Sequence, residues 1–282
     1  MLSYRHAFHA GNHADVLKHL VLVLTLEYYL RKDKPFWYID THAGAGLYQL
    51  GSAEAQKTHE FAHGIQLLWD ADAPPAALHP YLSLLQQLNP HPHLQQYPGS
   101  PWIAAQMLRP TDQLRLFELH PADFATLGGL LGKDKRTHFC KQDGLQGLLG
   151  LLPPPARRAV ILIDPSYELK TDYQGVVDTL AKAHQRFATG TYLLWYPVIS
   201  RARVGQMSAA LQNSGITDIL QIEFCPLPDS NALGMTGSGM FVINPPWLLE
   251  NQMRDISPWL HQQMATHGGH FSITSSPPKK ST

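Results

Sequence analysis

Hydrophobic and polar positions follow two kinds of pattern along this chain. Runs with apolar residues three and four positions apart predict helices, and short runs rich in β-branched and aromatic residues predict strands. Ala14–Arg31 is the first helical run, with Asp15 near its start and a basic residue at its end. Phe36–Ile39 is the first strand run, and it ends at Asp40. The chain therefore opens with a helix that leads into a strand.

The remainder of the chain alternates between the two patterns. The predicted strands are Leu114–Glu118, Arg136–Lys141, Ala159–Ile163, Thr191–Trp195, Ile219–Phe224 and Met240–Ile243. The predicted helices are Trp102–Leu108, Leu145–Leu152, Tyr173–Phe187, Val204–Asn213 and Trp247–His261. This alternation predicts an α/β fold with a mostly parallel, doubly wound sheet. No helix separates the last two strands, so we expect them to form a terminal antiparallel hairpin.

A proline-rich segment interrupts the alternation. Thr41–Gly46 is a glycine-containing turn after the first strand, but the next acidic strand end is far downstream at Glu118, whereas nucleotide-binding units present one about 20 residues after the turn. Residues 52–93 have the pattern of helices broken by prolines, and we interpret them as a helical insertion. The helix that the turn normally opens then begins with Ser100 as N-cap and Pro101 as first helical residue.

The composition bears on the number of domains, on disulfides and on membrane segments, but it does not indicate a function. The chain has 282 residues, of which 44% are hydrophobic, and its 22 basic and 22 acidic residues balance. The length suits one large domain, or one domain with an insertion. Two cysteines, Cys140 and Cys225, form no disulfide framework, and the apolar run Leu20–Leu26 is far shorter than the ~20 residues of a membrane span. We expect a cytoplasmic protein without a membrane segment.

Four predicted strands end in or just before an acid: Asp40, Glu118, Asp143 and Asp164. In this fold, ligands bind at the carboxyl ends of the strands. Glu118 suits the ribose hydroxyls of an adenosine-containing cofactor, Asp143 suits its adenine amine with Gly144 keeping the backbone open, and Asp164 faces the substrate. Any one of these acids alone is more often a helix cap or a solvated turn residue, but their order favours a cofactor site.

The glycine turn favours one class of cofactor. Gly44 and Gly46 do not complete the G-x-G-x-x-G pattern, so S-adenosylmethionine is favoured over a cofactor with a pyrophosphate. Ser100, at a helix start, could bind the methionine carboxylate. Taken alone, that residue is explained as well or better by an ordinary structural cap.

Asp164-Pro165-Ser166-Tyr167 follows a strongly apolar strand and differs by one residue from the Asp-Pro-Pro-Tyr signature of enzymes that methylate exocyclic amino groups. Asp164 and the carbonyl of Pro165 could accept the two hydrogens of the amine, and Tyr167 could stack on the base. Asn244-Pro245-Pro246-Trp247 matches the signature better. Because it follows the last strand, we interpret it as a helix entry instead.

The N-terminal stretch Tyr4–His19 is rich in aromatic and basic residues. His6, His9 and His13 suggest a metal, but no carboxylate or cysteine completes a recognisable ligand set, so we expect none. The preferred interpretation is a cationic, aromatic strip beside the active site. Within it, Lys18 could hold a carboxylate, and Tyr4 with Arg5 and His6 could contact nucleic acid.

Seven segments of the chain carry a resemblance to a known family: Tyr4–His19, Asp40–Gly46, Tyr97–Pro101, Glu118–Pro121, Asp143-Gly144, Asp164–Tyr173 and Gly239–Trp247. Taken together, they resemble the RlmJ family of 23S rRNA adenine-N6 methyltransferases. The resemblance runs over nearly the whole chain, to about Met264, and includes the helical insertion. The terminal hairpin also suits a class I (Rossmann-like) methyltransferase better than a dehydrogenase. The family usually has proline where this chain has Ser166, which puts the stiffness of the loop in question.

The resemblance implies S-adenosylmethionine as cofactor and an adenine in naked or partly assembled 23S rRNA as substrate. It implies Asp164 as catalytic acceptor and Tyr4 as an RNA contact. The residues that it implies around the cofactor are Lys18, His19, His42, Ser100, Glu118, Asp143, Gly144 and Asp164.

The pattern of the residues predicts how the chain is divided, and the resemblance includes the helical insertion. We expect a methyltransferase domain at residues 1–51 and 94–266, in which residues 1–35 form a helical motif beside the active site. Residues 52–93 form the insertion subdomain and residues 267–282 a flexible tail. We expect a monomer.

Other functions remain open from the residues alone. The chain could be another amino-methyltransferase, acting on DNA adenine or on a protein glutamine through Asn244–Trp247. It could be a dinucleotide-dependent oxidoreductase, which the incomplete glycine pattern disfavours. It could also be an RNA-binding module that has no catalytic activity and does not need Asp164.

Overall fold

The structure is a computed structural model that describes residues 4–169, 171–230, 234–265 and 268–276. Its strands are β1 (Trp37–Asp40), β2 (Leu47–Gln49), β3 (Gln96–Pro98), β4 (Gln113–Phe117), β5 (Thr137–Cys140), β6 (Ala159–Ile163), β7 (Thr191–Val198), β8 (Ile219–Cys225), β9 (Gly237–Ile243) and β10 (His270–Ser276). Its α-helices are α1 (His13–Leu30), α2 (Ala53–Thr58), α3 (Ile65–Trp69), α4 (His79–Leu88), α5 (Ser100–Met107), α6 (Pro121–Leu131), α7 (Gly144–Leu151), α8 (Asp172–Arg186), α9 (Arg201–Asn213) and α10 (Leu249–Met264).

Eight of the described strands form one mixed sheet in the order β10-β8-β9-β7-β6-β1-β4-β5. The strands from β7 through β6, β1 and β4 to β5 are parallel. Strand β9 lies antiparallel between β7 and β8, and β10 pairs antiparallel with β8. The predicted fold class is therefore confirmed: a mostly parallel, doubly wound sheet carries the antiparallel hairpin of β8 and β9 at one side, with β10 added beyond it.

Helix α1 is buried on every side. Asn12 caps its start, since its side-chain oxygen accepts the N–H groups of Ala14 and Asp15, each at 3.0 Å. The apolar residues from Leu20 to Leu26 are at most 2% exposed. The helix contacts β9 and β7 on one side and α4, α5 and α10 on others. A helix that is apolar all round is stable only when it is enclosed in this way.

The inserted segment leaves the sheet domain and returns to it at neighbouring points. Strands β2 and β3 pair antiparallel, and the N–H of Gly99 donates to the carbonyl of Gly46 at 2.9 Å. Gly46 has φ +80, a conformation that favours glycine. The turn and helix α5 are thus adjacent in space, although the insertion separates them in sequence. The helices α2 to α4 lie between β2 and β3, and their status as a separate subdomain stays a prediction.

The C-terminal segment corrects one expectation. A flexible tail was predicted from residue 267 onward, but His270–Ser276 forms β10 and pairs along its whole length with β8. Ile273 packs into the core, and the other residues of the strand are partly or fully exposed, as suits the last strand at one side of the sheet. Residues 277–282 lie outside the described residues. Among the described helices, none has the length and apolar character that crossing a membrane requires.

Candidate active site

Four acids lie side by side at the carboxyl edge of the parallel strands. Asp40 is the last residue of β1, Asp164 directly follows β6, and Glu118 directly follows β4. Asp143 follows β5 and immediately precedes α7. Because β6, β1, β4 and β5 are neighbours in the sheet, the structure brings these four predicted residues together. This is the edge at which folds of this kind bind their ligands.

Asp40 lies at the centre of this edge and is fully buried. One of its oxygens accepts hydrogen bonds from the hydroxyls of Tyr38 and Ser100, both at 2.7 Å, and the other accepts the N–H of His42 at 3.2 Å. Burial raises the pKa of Asp40 to about 6, although the hydrogen bonds from Ser100 and Tyr38 act in the opposite direction. The carboxyl group thus fixes the glycine turn and the start of α5 in one position.

Ser100 is not the N-cap that the sequence predicts. The cap of α5 is Gly99, and Ser100 is the first helical residue. Its hydroxyl donates to Asp40, because a buried carboxylate is a stronger acceptor than a solvated one. Its predicted contact with a cofactor carboxylate stays a prediction.

Glu118 is held by backbone groups on both of its oxygens. The N–H of Gly44 donates to one at 2.8 Å and the N–H of His120 to the other at 2.6 Å. Burial raises the pKa of Glu118, and these two hydrogen bonds oppose that shift. The carboxylate therefore has a fixed orientation toward the turn, and each oxygen keeps a second lone pair for a ligand hydroxyl.

Asp143 caps helix α7 and leaves one oxygen unused. Its Oδ1 accepts the N–H groups of Leu145 at 2.8 Å and Gln146 at 3.0 Å. Its Oδ2 makes no hydrogen bond among the described residues, and the side chain is exposed. At Gly144 a side chain would collide with the carbonyl of Thr41, so only glycine lets the two loops approach this closely.

Asp164 forms an ion pair with Lys18. The ammonium of Lys18 donates to Oδ2 of Asp164 at 2.6 Å and contacts Asp15 at 2.8 Å. Oδ1 of Asp164 makes no hydrogen bond within the described residues. Burial acts against the charge on Lys18, but the two carboxylates outweigh it and hold the Lys18 pKa well above its usual value. Lys18 is therefore a fixed cation that orients Asp164 and leaves one carboxylate oxygen free.

Asp15 connects this ion pair to His6 and Tyr4, at the start of the N-terminal strip. Its side chain is 1% exposed, and its Oδ2 pairs with His6 at 2.8 Å and accepts the N–H of Gly11 at 2.9 Å. Burial opposes ionisation here too, but His6 and Lys18 outweigh it and hold the Asp15 pKa well below its usual value. The other ring nitrogen of His6 lies 2.9 Å from the hydroxyl of Tyr4. A continuous polar chain thus runs from Tyr4 to Asp164.

The residues predicted to contact RNA lie at the surface end of this chain. Tyr4 is 41% exposed, its ring stacks on His9, and its N–H donates to Glu168 at 2.7 Å. Arg5 is exposed and His6 is partly buried. The N-terminal strip therefore lies against the loop that follows β6. Its contact with RNA stays a prediction.

His19 and His42 are both in buried surroundings. Burial lowers the pKa of His19 to about 3, and its Nδ1 lies 2.7 Å from the hydroxyl of Tyr97. Burial likewise lowers the pKa of His42, whose Nδ1 lies 2.8 Å from the hydroxyl of Thr41. Both rings are neutral at pH 7. His42 lies at the carboxyl edge, whereas His19 points toward the insertion, and the cofactor contacts of both stay predictions.

The loop after β6 turns sharply at Tyr167. This residue has φ +52 and is 7% exposed. Its hydroxyl donates to the carbonyl of Trp195 at 2.6 Å, and its ring lies 4.5 Å from Tyr173 and 5.9 Å from the Trp195 ring. Pro165 is buried and Ser166 is exposed. The ring of Tyr167 packs on protein side chains in this structure, and its stacking on an adenine stays a prediction.

Asn244-Pro245-Pro246-Trp247 lies at the opposite edge of the sheet. Strand β9 runs antiparallel to β7, so its end pairs with the start of β7. The side-chain amide of Asn244 donates to the carbonyls of Ala188 at 2.8 Å and Gly190 at 2.7 Å. Both of its amide hydrogens therefore stabilise a turn, far from Asp164 and the other acids.

The three N-terminal histidines do not converge. His6 pairs with Asp15, His9 pairs with Glu60, and His13 is buried with its pKa lowered to about 4 by burial. One mixed cluster of possible metal ligands does occur within the described residues, formed by Glu223, Cys225 and His270. The guanidinium of Arg201 contacts all three of these side chains, so a cation of the protein already occupies the cluster.

Sequence reasoning missed the residues that support the site. Asp15 was interpreted as a helix-start acid, but it is the buried partner of Lys18. Trp195 ends the predicted strand beside Asp164, and its ring centroid lies 6.0 Å from the ammonium of Lys18. The i,i+3 spacing of Asp15 and Lys18 on an otherwise apolar helix could have indicated the first of these contacts.

The chain is similar to known proteins over nearly its whole length. A protein family described as "Ribosomal RNA large subunit methyltransferase D, RlmJ" matches residues 33–275. Ribosomal RNA large subunit methyltransferase J of Escherichia coli is 53% identical over 275 residues, which cover 97% of this chain and 98% of that protein. The protein of the same name from Haemophilus influenzae is 48% identical over 269 residues, with 95% and 96% covered. A crystal structure of a protein from Legionella pneumophila has a TM-score of 0.89 and 36% identity, with 95% of this chain and 98% of that chain covered.

Proposed function

The chain belongs to the family of ribosomal RNA large subunit methyltransferase D, RlmJ, and from this premise we propose that it methylates the N6 amino group of an adenine in 23S rRNA. The observation that carries the proposal is the state of Asp164. One of its oxygens is fixed by Lys18 at 2.6 Å, and the other makes no hydrogen bond within the described residues. A carboxylate in this state can accept a hydrogen from an exocyclic amine.

The chemistry requires activation of a weak nucleophile. The lone pair of an adenine N6 is delocalised into the ring, so the nitrogen must move toward tetrahedral geometry before it can attack. Oδ1 of Asp164 accepts one amine hydrogen, and the carbonyl of Pro165 accepts the other. Lys18 keeps the carboxylate from turning away, because its ammonium is itself fixed by Asp15 at 2.8 Å. Such positioning and electrostatic stabilisation account for most of the expected rate enhancement.

Methyl transfer leaves one proton to remove from the amine. Asp164 accepts it, or a water molecule beside the exposed part of the loop does so. The target base must be unpaired or flipped to reach the edge of the sheet. We propose that Tyr167 stacks on it, which requires its ring to be uncovered from Tyr173 and Trp195.

The residues present fit a cofactor with an adenosine moiety. Asp143 has an unused, exposed oxygen for an adenine amine, and Glu118 has a fixed carboxylate for ribose hydroxyls. Gly144 lets its loop approach the glycine turn closely, because a side chain there would collide with the carbonyl of Thr41. We propose Lys18, His19, His42, Ser100, Glu118, Asp143, Gly144 and Asp164 as the residues around the cofactor. S-Adenosylmethionine, when bound, supplies a methyl group on a sulfonium centre.

The proposed partner is 23S rRNA, naked or partly assembled, which makes the proposed location cytoplasmic. The monomeric state stays a prediction. The two curated relatives are named for the large-subunit rRNA, and the balance of acidic and basic residues places no large uniform charge on the chain. Recognition would therefore depend on local contacts at the carboxyl edge, where Tyr4 and Arg5 are exposed.

Labelled methyl transfer tests the proposal. The protein is incubated with S-adenosylmethionine and 23S rRNA that lacks its own N6 methylation, and the product is mapped by nuclease digestion and mass spectrometry. We expect one N6-methyladenosine in the RNA and no label in DNA or protein. Label in DNA or on a glutamine identifies another amino-methyltransferase, and RNA binding without transfer identifies a binding module. Calorimetry with S-adenosylmethionine and with NAD separates the oxidoreductase alternative.

A further inference from the structure

A cavity of about 200 Å³ lies between the first turn of α8 and the first three turns of α9. The residues that line it are Tyr173, Gln174, Arg203, Gln206, Met207 and Ala210. Helices α8 and α9 follow β6 and β7, so their first turns lie at the carboxyl edge of the sheet. The end of the cavity that Tyr173 and Arg203 form is therefore on the same edge as Asp164.

One wall of the cavity is continuous with the loop that carries Asp164. The ring of Tyr173 lies 4.5 Å from the ring of Tyr167. The hydroxyl of Tyr167 in turn donates to the backbone of Trp195 at 2.6 Å. A group bound in the cavity would thus be one aromatic ring away from the residue proposed to hold the target base.

The lining has the chemistry of a nucleotide site. The guanidinium carbon of Arg203 lies 5.9 Å from the centroid of the Tyr173 ring. The hydroxyl of Tyr173 is buried and has no partner at hydrogen-bond geometry among the described residues. The guanidinium of Arg203 is close enough to oppose the rise that burial causes in the Tyr173 pKa. Gln174 uses its amide N–H₂ on Asp178 at 2.7 Å and keeps its oxygen free.

The charge of the lining residues and the size of the cavity favour one kind of ligand. The lining residues include one cation and no carboxylate, and the side chains of Met207 and Ala210 are its apolar members. A guanidinium suits a phosphate group, and amide and hydroxyl groups suit the edge of a base. Its volume of about 200 Å³ suits one base and is too small for a duplex.

We propose that this cavity binds the nucleotide adjacent to the methylated adenine. Arg203 contacts its phosphate, and the hydroxyl of Tyr173 bonds to its base. The inference rests on the proposed function, in which the target base leaves its stack. Its neighbour then loses a stacking partner, and single-stranded bases in RNA are commonly recognised by aromatic and guanidinium groups. The site would hold the strand in register while Asp164 acts on the next base.

Synthetic RNAs with one missing base test the site. Three oligonucleotides span the target: an intact one, one abasic on the 5′ side of the target adenine, and one abasic on its 3′ side. We expect one of the two abasic RNAs to lower wild-type kcat/KM about tenfold, since a stacked and hydrogen-bonded base contributes an effect of this order. Tyr173→Phe should lower kcat/KM about threefold on intact RNA and have no effect on that abasic RNA.

Arg203→Ala tests the phosphate contact. It should raise KM for intact RNA about tenfold with kcat nearly unchanged, and reduce the slope of log affinity against log salt by about 0.7. Arg31→Ala is the matched control, because Arg31 is exposed at the far end of α1 and should change neither quantity. Circular dichroism checks that the variants fold. If Arg203→Ala does not fold, Tyr173→Phe remains as the test of the site.

The outcomes separate this site from the proposed function. If the wild type methylates rRNA but accepts both abasic RNAs as well as the intact one, and Arg203→Ala equals Arg31→Ala, the site is overturned and the function stands. If no RNA is methylated, the proposed function fails. The dissociation constants of the three RNAs, measured by fluorescence anisotropy, then test the site. We expect one abasic RNA to bind about tenfold more weakly than the intact RNA, and equal affinities would overturn the site.

Discussion

Asp164-Pro165-Ser166-Tyr167 and Asn244-Pro245-Pro246-Trp247 share a sequence pattern and differ in almost everything else. The first follows a parallel strand and ends at the carboxyl edge, where Lys18 pairs with Asp164 at 2.6 Å. The second follows an antiparallel strand and ends at the other edge, where Asn244 donates both amide hydrogens to backbone carbonyls. The second is closer to the amino-methyltransferase signature, yet only the first lies among the four acids.

The difference shows that strand direction decides the use of such a motif. In this fold, a polar residue at the end of a strand can face the ligand only if that strand ends at the carboxyl edge of the parallel strands. Asn244 also has φ +51, a conformation that asparagine adopts more readily than most residues. The same short pattern therefore supports a turn in one place and is proposed to support chemistry in the other.

The largest expected effect comes from Asp164→Ala. The substitution removes both carboxylate oxygens, and with them the acceptor of the amine hydrogen, so we expect kcat to fall at least about 1,000-fold. Affinity for S-adenosylmethionine, measured by calorimetry, should change less than about threefold. Full activity in this variant would overturn the assignment of Asp164.

Asn244→Ala is the counterpart at the other edge. It should leave kcat within about twofold of the wild type, and it should cost about 2 kcal/mol in the free energy of unfolding, because two hydrogen bonds to backbone carbonyls and a favourable backbone conformation are lost. Urea denaturation measures the second quantity. A large loss of activity without loss of stability would reverse the comparison.

Asp15→Asn tests whether the buried ion pairs of Asp15, Lys18 and Asp164 are what makes the carboxyl edge different from the edge with Asn244. The variant leaves Lys18 with one carboxylate partner instead of two, so we expect a loss of about 3 kcal/mol in stability and about tenfold in kcat. The control is Asp33→Asn, whose carboxylate is exposed near the other end of α1. If Asp15→Asn behaves like this control, Lys18 does not need Asp15 to orient Asp164.

Acidification should weaken the helix that carries Lys18. The pKa of His19 is about 3 in the folded protein against an ordinary 6.5, so between these values the unfolded chain binds a proton that the folded chain excludes. Stability therefore falls as the pH drops below 6.5, by about 2 kcal/mol between pH 7 and pH 5. Denaturation curves of the wild type and of His19→Gln measure this difference, and equal pH slopes would contradict it.

The smallest effect is expected from Ser166→Pro, which makes the first motif match the signature fully. Ser166 is exposed, and its N–H makes no hydrogen bond within the described residues. The added ring removes one rotatable bond and leaves the proposed acceptor carbonyl on Pro165 unchanged. We expect kcat/KM to stay within about twofold of the wild type in the methyl-transfer assay. A tenfold change would show that loop stiffness matters.

Much of the sheet could be predicted because its strands are continuous and apolar. Strand β6 has the predicted bounds, and α8 differs from its prediction by one residue at each end. Helix α6 was missed, because Gly128, Gly129 and Gly132 weaken its pattern. Strand β10 was missed because it is short of large apolar residues and pairs with a distant strand.

The site was predictable only in part. The order of the acids along the sheet follows from the alternation of strands and helices, so their meeting at one edge could be foreseen. The contact between Lys18 and Asp164 joins residues 146 positions apart, and no local pattern fixes such a distance. The position of Ser100 was wrong by one residue, since helix caps depend on backbone angles that the sequence does not specify alone.

The enclosure of helix α1 has a consequence for biosynthesis. The helix is synthesised before β9 and α10, which form part of its cover and lie more than 200 residues later in the chain. At the usual rate of translation, its apolar surface stays unprotected for on the order of 10 to 40 s. Nascent chains should therefore depend on chaperones that shield apolar helices, and crowding of ribosomes on one message would expose several such helices to one another.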